Sequence, residues 1–219
     1  SVSAAQAHQV WIESEGSQAR VYFGEYDDNI RETSPGLLDK FKTIPTLEQR
    51  TGGKAQATEG QRTHEAFTYA TTGTADTLIT EITYPLIDRT KANLAPMLWR
   101  PTARWVASPT QPVAASAPLD LVPTGKTGEL RATFQGAPLP KTKVTLVAPS
   151  GWAREASTSA DGIVHFELPK GQYMAKVKHS DKTPGEHQGE KYGEVSYLTT
   201  LTFTQASGAA SPAMPAAPK

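Results

Sequence analysis

The chain has 219 residues, with 22 Lys plus Arg set against 22 Asp plus Glu, and no cysteine. Zero net charge leaves no global field to gather the protein onto nucleic acid or an anionic membrane, and the missing thiol excludes disulfides, thiolate metal sites and thiol nucleophiles. No apolar run approaches the roughly 20 residues that span a bilayer as a helix, so direct membrane insertion is not expected, and the length suits two domains of about 100 residues each.

Residues 1–7 are small and polar and end in Ala5-Gln6-Ala7, the A-x-A pattern that closes a secretory signal peptide. This predicts an exported, periplasmic protein in which 1–7 is a processing remnant. Gln9 to Glu13 and Ala19 to Gly24 alternate as two short strands that open a first β domain over 8–107. Ser34-Pro35 reads as a capped helix start, with Leu37, Leu38 and Phe41 on the face of one short helix. Thr46 to Arg62 is polar, contains Gly52-Gly53 and reads as a loop. Strands resume at His64 to Thr71, Thr77 to Tyr84 and Met97 to Val106.

Residues 108–118 are rich in Ala, Ser and Pro without periodicity, the composition of a linker. A second module follows over 119–204. Its signals are Leu119 and Leu121, Leu130 and Phe134, the alternating Lys143 to Ala148, the Asp161-Gly162 turn, Ile163 to Leu168, the Tyr173-Ala175-Val177 face and the Val195 to Phe203 strand. About seven strands and no helix suit an Ig-like or transthyretin-like sandwich. The predicted fold class is therefore all-β, two sandwich domains with one short helix in the first. Residues 205–219 are Ala, Pro, Ser and Gly rich and read as a disordered tail.

Functional expectations centre on the stretch from His179 to Tyr192, which reads as a loop far longer than a hairpin turn requires. His179 and His187, flanked by Glu186 and Glu190, offer the imidazole and carboxylate donors that Cu, Ni, Zn and Fe accept without sulfur. His8 and His64 are further candidate nitrogen ligands, whereas His165 alternates outward between Val164 and Phe166. Neutral imidazole is the ligating form, so affinity should fall below about pH 6.5. The acidic run Gly24 to Asn29 lacks the twelve-residue EF-hand pattern and reads as a turn. No G-x-S-x-G elbow, phosphate loop or dinucleotide glycine pattern occurs, so catalysis is not expected.

Ala7 to Glu13, Tyr22-Phe23-Gly24-Glu25, Gly189 to Tyr192 and Tyr197 to Phe203 resemble short motifs of a family of exported bacterial proteins defined by a domain of unknown function. The better-known relatives of that family are periplasmic components associated with uptake of nickel and other transition metals. The resemblance implies a two-part β protein with a carboxypeptidase-regulatory-like second sandwich, and it implies a ligand role for His8 alone. On this reading the chain is a periplasmic transition-metal binding protein that passes an ion, or a small metal complex, to a membrane transporter component. Two other readings compete. One is a structural or adhesive module, although the final strand lacks the Asn or Asp of a pilin-type isopeptide. The other is a sugar- or peptide-binding sandwich that stacks ligand on Trp99, Trp105 or Trp152, with Trp152 and Tyr192 as the candidate ligand-binding aromatics.

Overall fold

The computed structural model describes residues 8–210. The expected processing remnant at 1–7 and the end of the expected tail, 211–219, lie outside the described residues. Strands in the first half are β1 (Gln9–Glu15), β2 (Gln18–Glu25), β3 (Ile30–Arg31), β4 (Leu47–Thr51), β5 (Lys54–Thr58), β6 (Gln61–Arg62), β7 (Phe67–Ala70), β8 (Thr77–Glu81) and β9 (Met97–Val106). The second half contributes β10 (Leu119–Pro123), β11 (Glu129–Phe134), β12 (Ala137–Pro138), β13 (Lys143–Val147), β14 (Ala153–Ser157), β15 (Ile163–His165), β16 (Gly171–Asp181), β17 (Gly185–His187), β18 (Glu190–Tyr192) and β19 (Glu194–Gln205). The protein is all-β and its strands form several sheets.

One sheet organises the rest. Eight strands run in the order β14-β13-β16-β19-β9-β8-β4-β5, antiparallel throughout except where β19 lies parallel to β9 over Glu194 to Thr202. The segments on either side of 108–118, expected as separate domains over 8–107 and 119–204, therefore meet in a shared sheet. Strand alternation sorts its side chains into two cores. Met97, Trp99 and Ala103 of β9, with Leu198 of β19, join Val10, Ile12, Val21, Phe23, Phe67 and Tyr69 from the sheet β1-β2-β7-β6. On the opposite face Leu98 and Val106, with Val195, Tyr197, Leu201 and Phe203, join Leu119, Leu121, Leu130, Ala132 and Val164 from the sheet built around β10, β11 and β15. The middle strands β9 and β19 are thus covered on both faces, and nearly every residue from Val195 to Phe203 is buried.

Each face of this middle pair is fastened by polar groups as well. On the first face the Thr200 and Thr202 hydroxyls donate to the carbonyls of Val10, at 2.6 Å, and Ile12, at 2.5 Å, pinning β1 across β19. On the second face Arg104, 1% exposed, forks onto Asp120, 0% exposed, through Nε to Oδ1 at 2.9 Å and Nη2 to Oδ2 at 2.6 Å. The guanidinium also donates to the Thr77 and Ser116 hydroxyls, and the carboxylate accepts N–H bonds from Ser116, Ala117 and Leu121. Burial pushes the Asp120 carboxyl up, but the Arg104 hydrogen bonds and charge together with the Ser116 and Ala117 amides outweigh it, and the group titrates below the ordinary carboxylate value.

Three local expectations are corrected. Thr46 to Arg62 is not a loop, because it carries β4, β5 and β6, with Gly52-Gly53 as the two-residue turn of a hairpin. Both glycines have positive φ, 56° and 85°, which suits the primed turn that matches strand twist. The helix after Ser34-Pro35 is a single 3₁₀ turn, Leu37–Lys40, tied by the Ser34 hydroxyl and the Gly36 amide to the Asp39 carboxylate. The stretch from His179 to Tyr192 is not irregular: β16 runs on to Asp181, and β17 and β18 fold as a small separate hairpin around Gln188-Gly189.

Candidate functional site

The six candidate metal donors lie on four separate supports, with Glu186, His187 and Glu190 sharing one hairpin. His8 is 6% exposed at the start of β1, where Nε2 meets Glu32 Oε1 at 2.9 Å, the ring packs on Phe23 at 4.8 Å, and Nδ1 is buried without a partner. His64 is exposed and bonds the Ser34 carbonyl through Nδ1 at 3.1 Å. His179 sits with its ring 4.2 Å from that of Phe134. His187 is half-buried in the β17–β18 hairpin with Nε2 unpartnered, while Glu186 and Glu190 are exposed on the same hairpin. Among the described residues no three His, Cys, Asp or Glu side chains come together in a group able to hold a metal ion. The physical reason is strand geometry. His179 stays on the long strand β16 while His187 belongs to a hairpin with its own pairing, so neighbours in sequence are carried by different elements.

The two aromatic candidates are also accounted for by packing. Trp152 is half-buried against the second core, with the Arg154 guanidinium 4.5 Å above its ring. Tyr192 packs on the same core and crosses Gly185 so closely that a Cβ there would fall 2.4 Å from its hydroxyl. Of the acidic run from Gly24 to Asn29, Gly24 and Glu25 end β2 and Tyr26 to Asn29 form a turn, closed by the Asn29 amide on the Tyr26 carbonyl, with Asp27 paired to Lys176 at 3.3 Å.

A different part of the surface gathers more chemistry. Where β1 ends and β2 begins above the central sheet, a cleft of about 290 Å³ opens between Glu13, Ser14, Glu15 and Arg20 on one side and Gln172 and Thr204 on the other. Tyr26, buried, and Trp105, half-buried, line it, whereas the Tyr173 and Phe203 rings turn into the second core on the other face of the central sheet. Glu13 Oε1 is held by the Trp11 indole N–H at 3.2 Å and by Arg31 at 3.1 Å, and Arg20 donates to Gln18 at 2.9 Å. Burial, and next the Glu13 charge, push the Tyr26 phenol up, so it stays protonated as a donor through the ordinary pH range. A smaller pocket of about 130 Å³ adjoins the cleft and shares Glu13, Tyr26 and Gln172 with it. Arg31 lines this second pocket with its guanidinium 4.6 Å over the Tyr22 ring.

No family model matches the chain, and no curated protein matches it either. Among solved structures, one from work on host cell surface retention of a 1.5-MDa bacterial ice-binding adhesin is 7% identical, with a TM-score of 0.24. The match covers 92% of this chain and 65% of that one. A likeness at that level carries no argument about fold or activity.

Of the cleft residues, Trp105 is the one the sequence points to, as one of three possible stacking tryptophans; Trp99 is buried in the first core. Glu13, Arg20, Tyr26 and Gln172 have no sequence signal, because residues from β1, β2 and β16 become neighbours only when the sheets pack.

Proposed function

We propose that this protein is a non-catalytic binding module whose ligand is a polar, ring-bearing molecule of the carbohydrate class, held in the cleft over Trp105. The observation that carries this reading is the half-buried indole at the base of a concave site rimmed by Glu13, Glu15, Arg20, Gln172 and Thr204. An aromatic face offers dispersion contact and a negative π surface to the C–H side of a sugar ring, while carboxylate, guanidinium and amide groups around it hydrogen-bond the hydroxyls. The adjoining pocket beyond Tyr26 supports a ligand longer than one unit.

A periplasmic location and an Ig-like or transthyretin-like name for the second half belong to the same proposal. The latter is supported by the seven second-half strands β10, β11, β13, β14, β15, β16 and β19, which share one core to which β9 of the first half adds Leu98 and Val106. The transition-metal reading, with its transporter partner, requires His8, His64, His179 and His187 to converge, and it finds no such support among the described residues.

Calorimetric titration with a panel of neutral, amino and acidic oligosaccharides tests the proposal. Trp105→Ala is expected to weaken the best ligand at least tenfold, about 1.4 kcal/mol, and Trp152→Ala to leave it unchanged. If no oligosaccharide binds at millimolar concentration, or if Trp105→Ala binds like wild type, the proposal fails.

A further inference from the structure

We infer that β5 is a self-association edge, pairing antiparallel with β5 of a second copy about a two-fold axis at Gln56. Among the described residues β5 ends the eight-stranded sheet and pairs only with β4. Lys54 to Ala57 are exposed and Thr58 is half-buried, so little of this strand is covered on either face.

The hairpin register decides which backbone groups are left over. In a two-residue hairpin the residues flanking the turn exchange hydrogen bonds, and pairs then alternate between bonded and non-bonded. Thr51↔Lys54 flanks Gly52-Gly53, so Lys54, Gln56 and Thr58 direct their N–H and C=O groups to β4. Ala55 and Ala57 direct theirs away from the protein.

Natural edges are blunted by charge, proline or a bulge. The opposite end of the sheet, β14, has Arg154 and Glu155 at its centre. On β5 the two outward positions are alanines and the only charge is Lys54, at the turn.

The pattern is self-complementary. With the axis at Gln56, Ala55 faces Ala57 of the second copy and Ala57 faces its Ala55, and each pair exchanges two N–H···O=C bonds. Lys54 then faces Thr58, so no like charges stand directly opposite one another. Directly opposite residues of antiparallel strands share a face, so the two sheets continue into one with matching faces on the same side. That side carries an open trough bounded by Ile44, Ala57, Ile79 and Pro118. Ile44, 37% exposed, is one of two exposed large hydrophobic residues among those described, and the troughs of two copies would meet across the axis.

The cysteine-free chain makes the test clean. Gln56 and its symmetry mate form a non-hydrogen-bonded pair, with Cα atoms about 4.5 Å apart, within the roughly 4.4–6.8 Å that a disulfide spans. Under mild oxidation Gln56→Cys is expected to give a covalent dimer at least tenfold faster than Lys54→Cys or Thr58→Cys alone, and excess wild-type protein should slow it. In the Gln56→Cys background Ala57→Pro removes one outward N–H without touching the β4 ladder, and it should abolish the acceleration while circular dichroism and Tm stay near those of Gln56→Cys. Equal rates for the three single cysteines, or no effect of the proline in a protein that remains folded, would overturn the inference. A Gln56→Cys protein that crosslinks only to a different protein would overturn it as well, by assigning the edge to another partner.

Discussion

The two faces of the middle strands β9 and β19 are fastened by different chemistry, and the contrast shows where this fold is vulnerable. On the side of β1 the fastening is neutral, two threonine hydroxyls on two backbone carbonyls. Either bond can be lost with only its own modest contribution. On the side of β10 it is ionic and dry, with every donor and acceptor around Arg104 and Asp120 supplied by Thr77, Ser116, Ala117 and Leu121. There the net worth of the intact pair is small against an apolar replacement, but the cost of a half-broken pair is large, because a buried charge is left alone.

The largest expected effect sharpens this contrast. Asp120→Ala strands the Arg104 guanidinium in the second core and should cost about 3–5 kcal/mol, a fall in Tm of roughly 6–20 °C for a chain of this size. The double change Arg104→Met with Asp120→Leu should recover most of that loss in thermal melts. A double variant no more stable than Asp120→Ala would mean that the ion pair does more than fill space.

Acid sensitivity is the next test. Because the folded Asp120 carboxyl ionises at lower pH than in the unfolded chain, its contribution is complete above the unfolded value, about pH 3.9, and is lost as pH falls through the folded value. Urea midpoints measured between pH 6 and pH 2 should fall more steeply for wild type than for the apolar double variant. Equal slopes would assign the acid limb to other carboxylates.

On the neutral face, Thr200→Val and Thr202→Val should each cost about 1 kcal/mol and leave the pH profile unchanged. As a baseline, Lys143→Ala breaks a pair in which both side chains are more than half exposed; it should shift chemical denaturation by no more than about 0.5 kcal/mol.

How much of this is legible in the sequence depends on whether a segment has one buried face. Tyr173, Ala175 and Val177 recur at period two, as do Val195 and Tyr197, and Lys176, Lys178 and Ser196 supply polar positions between or beside them, so the patterning reveals those strands. The strand β5 has no buried face. Lys-Ala-Gln-Ala-Thr looks like loop, and only Gly52-Gly53 signals the turn that makes it a strand. The parallel pairing of β9 with β19 has no local signature at all, since its partners stand 97 residues apart at Thr102 and Thr199. The same holds for the candidate site. Trp105 is visible as an aromatic residue, but its depth, and the carboxylates and amide above it, come from three strands meeting. The histidines mislead for the complementary reason: residue type suggests a ligand set, but packing sets His8 against Glu32, His64 against the Ser34 carbonyl and His179 against Phe134.

The parallel join between β9 and β19 also bears on how the molecule is made. When β9 leaves the ribosome, the strand that will cover its open side is still about a hundred residues from synthesis, a wait on the order of 5–20 s at ordinary translation rates. Through that interval the nascent chain exposes a hydrogen-bonding edge flanked by apolar side chains, the kind of surface that holding chaperones bind. Completion of the fold is thus deferred until β19 has been made and closes both cores at once.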